Sequence, residues 1–223
     1  MSSRGTSSRL AEVFSLEGLI VRRDLQQDKQ SALLSVITMF DDYGVPYVVT
    51  GGLAVQLYSD QPRNTMDVDL VSLRKPFRVL QEAQPWSRYG LELVFDRRRY
   101  VKLRHNTSNV DIDINLDTRF ARLLEQPTYE QVEGRRISFT SAFQIAFAKL
   151  RTQRSDWPRD PAKRLQDRAD LIRIFRTTPT LPDRLREDPM LTSEMHQILD
   201  DVLRDLAKPA SDELPPEEEG QDD

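Results

Sequence analysis

Two aspartates, two residues apart, are the side chains whose spacing indicates chemistry most clearly. Asp67 and Asp69 alternate with Met66, Val68 and Leu70. Because strand side chains change face at every residue, this alternation predicts a strand with apolar residues on one face and both carboxylates on the other. Hard cations such as Mg²⁺ bind carboxylate oxygens together with substrate phosphates. Asp67 and Asp69 are therefore candidate ligands of Mg²⁺ or Mn²⁺.

A site for two divalent cations normally needs a further acid, and a second strand offers two. Asp111 and Asp113 stand in NVDIDINL, where they alternate with apolar residues. The preceding segment RRYVKLRH and the turn-prone residues 106–109 predict a hairpin. The sequence leaves open which of the two acids is the third ligand. Asp111 is slightly preferred, and it lies nearer the turn.

Four residues before the first pair of acids have the types that bind phosphate. Gly51 and Gly52 follow an apolar strand and precede a short helical stretch. Glycine lets the backbone approach closely, and amides at a helix start bind anions. Arg63 would add positive charge, and Thr65 would brace the loop. All four are candidate nucleotide-binding residues.

The order Gly51-Gly52, then Arg63-x-Thr65-x-Asp67-x-Asp69, then an acid on a later strand, resembles the nucleotidyltransferase fold superfamily. Two later segments, FQIAFAKLRTQR (143–154) and LQDRADLIRIF (165–175), resemble the lysine-containing helix and the Asp-x-x-Asp-Leu helix of the AbiEii-type toxin branch. The resemblance covers about residues 45 to 176.

This resemblance implies Mg²⁺, a nucleoside triphosphate such as ATP, and transfer of a nucleoside monophosphate to an acceptor hydroxyl. In this branch the acceptor is expected to be RNA, notably a tRNA 3′ end, and the partner a cognate antitoxin. Lys149 is either a phosphate ligand or a solvated lysine. Asp167 and Asp170 either pair with arginines of their own helix or, in the case of Asp170, support the site from behind.

The pattern of elements predicts an α+β (α/β) fold, a nucleotidyltransferase-like mixed β-sheet flanked by helices and followed by a helical C-terminal part. We expect a partly ordered N-terminal tail at 1–28, a catalytic domain at 29–140, a helical subdomain at 141–208 and a disordered acidic tail at 209–223. Within this scheme, Ser141 and Gln144 predict a capping box. Asp160 or Pro161 is expected to start the next helix, in which apolar residues from Leu165 to Phe175 repeat at helical spacing.

The composition is that of a chain with a substantial core. The chain has 223 residues, of which 38% are hydrophobic, and no cysteine. No apolar run reaches the roughly eighteen residues of a membrane span. These features predict a cytoplasmic protein without a membrane partner. Residues 209–223 hold seven acids and no base, so without them the formal charge changes from -4 to +3.

Basic residues cluster in two places, which are expected to contact RNA or the triphosphate. They are Arg97, Arg98, Arg99, Lys102 and Arg104 near the hairpin, and Arg151, Arg154, Arg159, Lys163, Arg164 and Arg168 around the later helices. Two alternatives remain open at this point. One is a small-molecule nucleotidyltransferase of the aminoglycoside type, and the other is a non-catalytic binding module.

Overall fold

The computed structural model describes residues 23–60 and 65–208. The predicted N-terminal tail, apart from its last residues, the acidic tail at 209–223 and the candidate Arg63 therefore lie outside the described residues.

A seven-stranded mixed sheet forms the centre of the molecule, in the order β3-β4-β5-β2-β1-β7-β6. Its strands are β1 (Tyr47–Thr50), β2 (Asp67–Ser72), β3 (Leu91–Arg97), β4 (Tyr100–His105), β5 (Asp111–Asn115), β6 (Thr128–Val132) and β7 (Arg135–Phe139). Strands β4 and β5 form the predicted antiparallel hairpin. The α+β fold class is thereby confirmed.

Seven helices flank or follow the sheet in the described part of the chain. They are α1 (Arg23–Asp42), α2 (Gly51–Gln56), α3 (Arg74–Ala83), α4 (Ala142–Gln153), α5 (Pro161–Thr177), α6 (Leu181–Arg186) and α7 (Ser193–Leu206). Two 3₁₀ segments, Trp86–Tyr89 and Thr118–Leu124, precede β3 and β6 respectively. None of the described helices is both long and apolar enough to cross a membrane.

The three strands at the centre place the acidic residues in register. Strand β2 pairs in parallel with β5, so that Asp67 lies opposite Asp111 and Asp69 opposite Asp113. Strand β1 runs antiparallel to β2 and pairs Thr50 with Asp69. Between the acids, side chains such as Val68 and Ile112 are fully buried, as period-two alternation predicts. One sheet face therefore packs in the core, and the other presents carboxylates.

A continuous hydrophobic core connects the sheet to the later helices. It includes Phe139 of β7, Ile145 of α4, Phe175 of α5 and Leu199 of α7, on both sides of the expected boundary at residue 140. Helix α5 begins where predicted, with the Asp160 carboxylate accepting from the backbone N–H groups of Ala162 and Lys163.

Helix α1 begins at Arg23, within the segment that was expected to be a partly ordered tail. Two details of the sequence interpretation were wrong. Ser141 is the N-cap of α4 but its side chain makes no capping hydrogen bond, so there is no capping box. Met66 and Leu165, expected on apolar faces, are 64% and 71% exposed. Met66 lies one residue before β2, whereas Leu165 lies in the second turn of α5.

Candidate active site

Three carboxylates converge on the open face of the sheet. The side chains of Asp67, Asp69 and Asp113, here called the sheet triad, offer ligand oxygens that all lie within 4.8 Å of one another. Each is half-buried, and the Oδ1 atom of Asp113 is buried without accepting a hydrogen bond from any residue that the structure describes. Oxygen ligands at this spacing suit a hard divalent cation, so the residues present fit the expected Mg²⁺ or Mn²⁺.

Asp111 has a different environment, although it shares strand and face with Asp113. Its two carboxylate oxygens accept hydrogen bonds from Lys102 and Arg104 of the neighbouring strand, each at 2.9 Å. In the described part of the chain, Asp113 rather than Asp111 groups with Asp67 and Asp69, although the sequence slightly favoured Asp111. The physical reason is register, because β4 places Arg104 directly opposite Asp111 and Lys102 opposite Asp113.

Lys102 also approaches the triad, since its Nζ atom lies 3.4 Å from Oδ1 of Asp113. Its shorter bond is to Asp111, and that hydrogen bond is the main reason why the pKa of Lys102 is raised above its usual value. Lys102 therefore remains a cation. It pairs closely with Asp111 and lies slightly farther from Asp113.

Gly51 makes room for the triad. Its φ is +61°, a conformation that favours glycine, and a Cβ built there would lie 1.8 Å from Oδ2 of Asp69. No side chain fits this space. The turn that begins α2 thus brings backbone directly against a triad carboxylate, and Gly52 follows it in the cavity wall.

Two hydroxyl groups hold triad members in place. The Thr65 hydroxyl donates to Oδ1 of Asp67 over 3.0 Å, which agrees with the expected bracing role of this threonine. Tyr100 of β4 hydrogen-bonds Asp113, and burial followed by this bond raises the pKa of the phenol. Tyr100 therefore remains protonated at neutral pH and acts as a neutral hydrogen-bond partner.

A second acidic group lies on the helices. Asp167 and Asp170 of α5, here called the helical pair, are 3% and 0% exposed. The Lys149 ammonium of α4 contacts both, at 2.7 Å and 2.8 Å. Arg159 pairs with Asp167 and Arg173 with Asp170. The expected pairing along the helix is thus present at Arg173, whereas Lys149 is neither solvated nor free to extend.

A cavity of about 540 Å³ lies between the sheet and helices α4 and α5. Its sheet side contains the triad together with Gly51, Gly52 and Thr65. Its helical side contains Lys149, Thr152, Arg159, Lys163, Gln166 and Asp167. Phe120 and Trp157 also line this cavity. The sheet triad, Asp167 of the helical pair and every described nucleotide-binding candidate therefore line one cavity.

Most of the predicted basic clusters are engaged within the protein. Arg164 donates to backbone carbonyls of residues 152, 153 and 157. Arg168 pairs with Asp205, and Arg154 with Asp156 and Glu194. These arginines hold helices and loops together, so sequence clustering overstated the basic surface that is open to a ligand.

Sequence reasoning missed Tyr100, Phe120 and Thr152, all of which line the cavity. Thr152 donates to Asp167 over 3.1 Å. Tyr100 sits at the start of a predicted strand, opposite Asn115, and the register of the hairpin would have placed it near Asp113. Phe120 lies in a 3₁₀ segment that has no periodic signal.

Neither a protein-family model nor a curated protein matches this chain. Among solved structures, it resembles an antigenic nucleotidyltransferase-like protein from Paracoccidioides brasiliensis, with a TM-score of 0.54 and 19% identity over 80% of this chain and 88% of that one. ANT(2")-Ia in complex with adenylyl-2"-tobramycin matches at 14% identity with a TM-score of 0.46, over 70% and 96% of the two chains. The first likeness shows that this chain has a nucleotidyltransferase-like fold.

Proposed function

We propose that this protein is a nucleotidyltransferase that moves a nucleoside monophosphate from a nucleoside triphosphate to an acceptor hydroxyl and releases pyrophosphate. The observation that carries the proposal is the sheet triad, in which three carboxylate groups with oxygens within 4.8 Å of one another line a large cavity. A divalent cation bound there would neutralise triphosphate charge and stabilise the attacking and leaving oxygens of an in-line displacement.

The residues of the chain have separate tasks in this proposal. Asp67, Asp69 and Asp113 would hold the cation. Gly51 keeps the space beside Asp69 clear, and its neighbour Gly52 offers backbone to the phosphates. Preorganised groups of this kind lower the barrier because they need not reorient during the reaction.

The helical side of the cavity would support the leaving group. Lys149 is held by Asp167 and Asp170, so its ammonium stays at the cavity wall in one position. Asp170 acts by positioning Lys149, which is the supporting role expected for it. Arg63 remains a candidate for further positive charge, and it lies outside the described residues.

We further propose that the acceptor is RNA and that the protein acts as the toxin of a toxin-antitoxin pair. What supports this is the meeting of the two later motifs of the AbiEii-type resemblance, since Lys149 of the first contacts both aspartates of the second. Growth arrest on expression, lost in Asp67→Ala, would be expected of such a toxin, and co-expression of a neighbouring antitoxin gene would restore growth.

The test of the reaction is label transfer. Each α-labelled nucleoside triphosphate is incubated with the protein, Mg²⁺ or Mn²⁺ and total tRNA, and wild type is compared with Asp67→Ala. We expect label to enter RNA only with the wild type. Asp67-dependent release of pyrophosphate without labelled RNA would retain nucleotidyl transfer and reject RNA as the acceptor. If neither pyrophosphate nor labelled RNA formed, the proposed nucleotidyl transfer would be rejected.

A further inference from the structure

Arg151 of α4 is a half-buried cation without a counter-ion in the described part of the chain. Its Nε atom is buried and makes no hydrogen bond with any described residue. Burial is the main reason why the pKa of Arg151 is lowered, and the charge of Arg119 lowers it further. Removing a charge from water is costly unless an opposite charge compensates it. This guanidinium is therefore suited to receive an anion from outside the protein.

The neighbouring arginines differ from Arg151 in their ion pairs. Arg119 pairs with Asp117 at 2.7 Å, Arg122 pairs with Asp188, and Arg154 pairs with Asp156 at 2.6 Å. The Nε atom of Arg154 is also buried without a hydrogen bond to a described residue, but it lies 3.5 Å from Glu194. The charge of Asp117 raises the pKa of Arg151, although less than the charge of Arg119 lowers it. Among these four arginines, Arg151 is the one that forms no ion pair with a described residue.

Two aromatic rings frame the same guanidinium. The Cζ atom of Arg151 lies 5.1 Å from the ring centroid of Phe120 and 5.0 Å from that of Trp157. Phe120 and Trp157 meet edge to face and both line the cavity of the sheet triad. The Arg119 guanidinium also lies over the Trp157 ring, 4.9 Å from its centroid, so a stacking base would displace it. Cationic and aromatic side chains in this combination bind single-stranded nucleic acids, with the base on a ring and the phosphate on the cation.

Helix geometry separates this group from the phosphate-binding side of the cavity. Arg151 and Lys149 are two residues apart on α4, so their side chains leave nearly opposite sides of the helix. Lys149 faces the helical pair, whereas Arg151 faces Phe120. A nucleoside triphosphate carries its charge in one group, which the triad side would accommodate. A single-stranded RNA, which carries a phosphate on every nucleotide, would place phosphate at both positions.

We propose that Arg151, Phe120 and Trp157 form a subsite for one nucleotide of a single-stranded RNA acceptor, with a base on Trp157 and the adjoining phosphate on Arg151. The proposal rests on the proposed nucleotidyl transfer for its biological meaning, but the binding itself requires neither nucleoside triphosphate nor metal. In this proposal, the loop that connects α4 to α5 has the task of placing Trp157 beside Arg151.

Intrinsic fluorescence tests this subsite because the chain has 2 tryptophans, Trp86 and Trp157. In Trp86→Phe, which retains only Trp157 as indole, we expect a single-stranded oligoribonucleotide of about six nucleotides to quench the emission. In Trp157→Ala, whose folding is verified by circular dichroism, we expect binding of a labelled oligonucleotide to weaken about tenfold, since loss of a stacking ring costs about 1–3 kcal/mol per base.

The charge is tested by comparing Arg151→Gln with the control Arg154→Gln. Arg154 lies three residues after Arg151 and carries the same charge, but it already pairs with Asp156 and Glu194. We expect Arg151→Gln to weaken RNA binding about tenfold and to lower the salt slope by about one. Arg154→Gln should change affinity less than about twofold. Arg151→Lys keeps the positive charge and should therefore retain the salt slope. Circular dichroism would verify that this variant is folded.

Equal weakening in both glutamine variants would overturn the subsite, as would quenching by a nucleoside triphosphate but not by RNA. Because these titrations contain no nucleotide donor and no metal, their outcome does not depend on whether label transfer succeeds.

Discussion

The sheet triad and the helical pair are two groups of aspartates at one cavity, and their counter-charges differ. The helical pair has two carboxylates, and Lys149, Arg159 and Arg173 all lie within 4.0 Å of them. On the sheet, Lys102 lies 3.4 Å from Asp113, but it forms a shorter ion pair of 2.9 Å with Asp111.

This difference separates structural acids from acids that can bind an external cation. A buried carboxylate must be paired or neutralised to be tolerated. The helical pair satisfies this condition within the protein, and a divalent cation bound at the triad would add positive charge beside Asp67 and Asp113. Perturbing each group should therefore produce opposite effects on activity and stability.

The largest effect is expected from removing charge in the triad. Asp67→Asn and Asp69→Asn should lower the rate of label transfer about 10³-fold, because bound cations contribute several kcal/mol of transition-state stabilisation. The free energy of unfolding should stay constant or rise, since like charges repel. Asp156→Asn, at an exposed acid of the α4–α5 loop, is the control and should keep full activity.

The helical pair should respond mainly in stability. Lys149→Met leaves Asp167 and Asp170 with less positive charge in a buried place, so unfolding in urea should show a loss of about 3 kcal/mol. Lys163→Met, at an exposed lysine of the same cavity, should change stability by less than about 0.5 kcal/mol. An equal loss in both variants would mean that the Lys149 ion pairs are not stabilising.

Gly51→Ala tests how closely backbone approaches the triad. The added Cβ would clash with Asp69, so we expect a loss of about 2–3 kcal/mol and of most transferase activity. Gly44→Ala is the matched control, since its φ of +62° is nearly the same and nothing lies within 4 Å of its Cβ. It should lose about 1 kcal/mol and keep its activity. Equal losses of stability and activity in the two variants would show that the close contact between Gly51 and Asp69 is not important.

A smaller, pH-dependent effect distinguishes Asp111 from the triad. Burial alone raises the pKa of Asp111, but hydrogen bonds from Arg104 and Lys102 outweigh it and place this pKa below the usual 3.8. The resulting stabilisation is present above pH 3.8 and is lost as the pH falls toward the lower, folded-state pKa. Urea unfolding at about pH 5 and about pH 3 should therefore differ less in Asp111→Asn than in wild type.

Local patterns predicted much of this molecule. Alternation predicted β2 and β5, turn residues predicted the hairpin, and Asp160 marked the start of α5. Strand β6 was missed because TYEQV lacks a clear apolar alternation, although Gly134, with a φ of +77°, signals the tight turn to β7.

Long-range pairing was less accessible from the sequence. The choice between Asp111 and Asp113 depends on which cation of β4 stands opposite each acid, and hairpin register is set by turn geometry. The contact of Lys149 with both Asp167 and Asp170 depends on how α4 packs on α5. Neither relation has a local sequence signal.

The most direct test of the central claim is label transfer by Asp113→Asn compared with Asp111→Asn. The two variants remove the same charge from the same strand face, two residues apart. We predict that Asp113→Asn abolishes transfer and that Asp111→Asn retains at least about a tenth of the wild-type rate in correctly folded protein. Full activity in Asp113→Asn, or abolished activity in folded Asp111→Asn, would contradict the assignment of the triad.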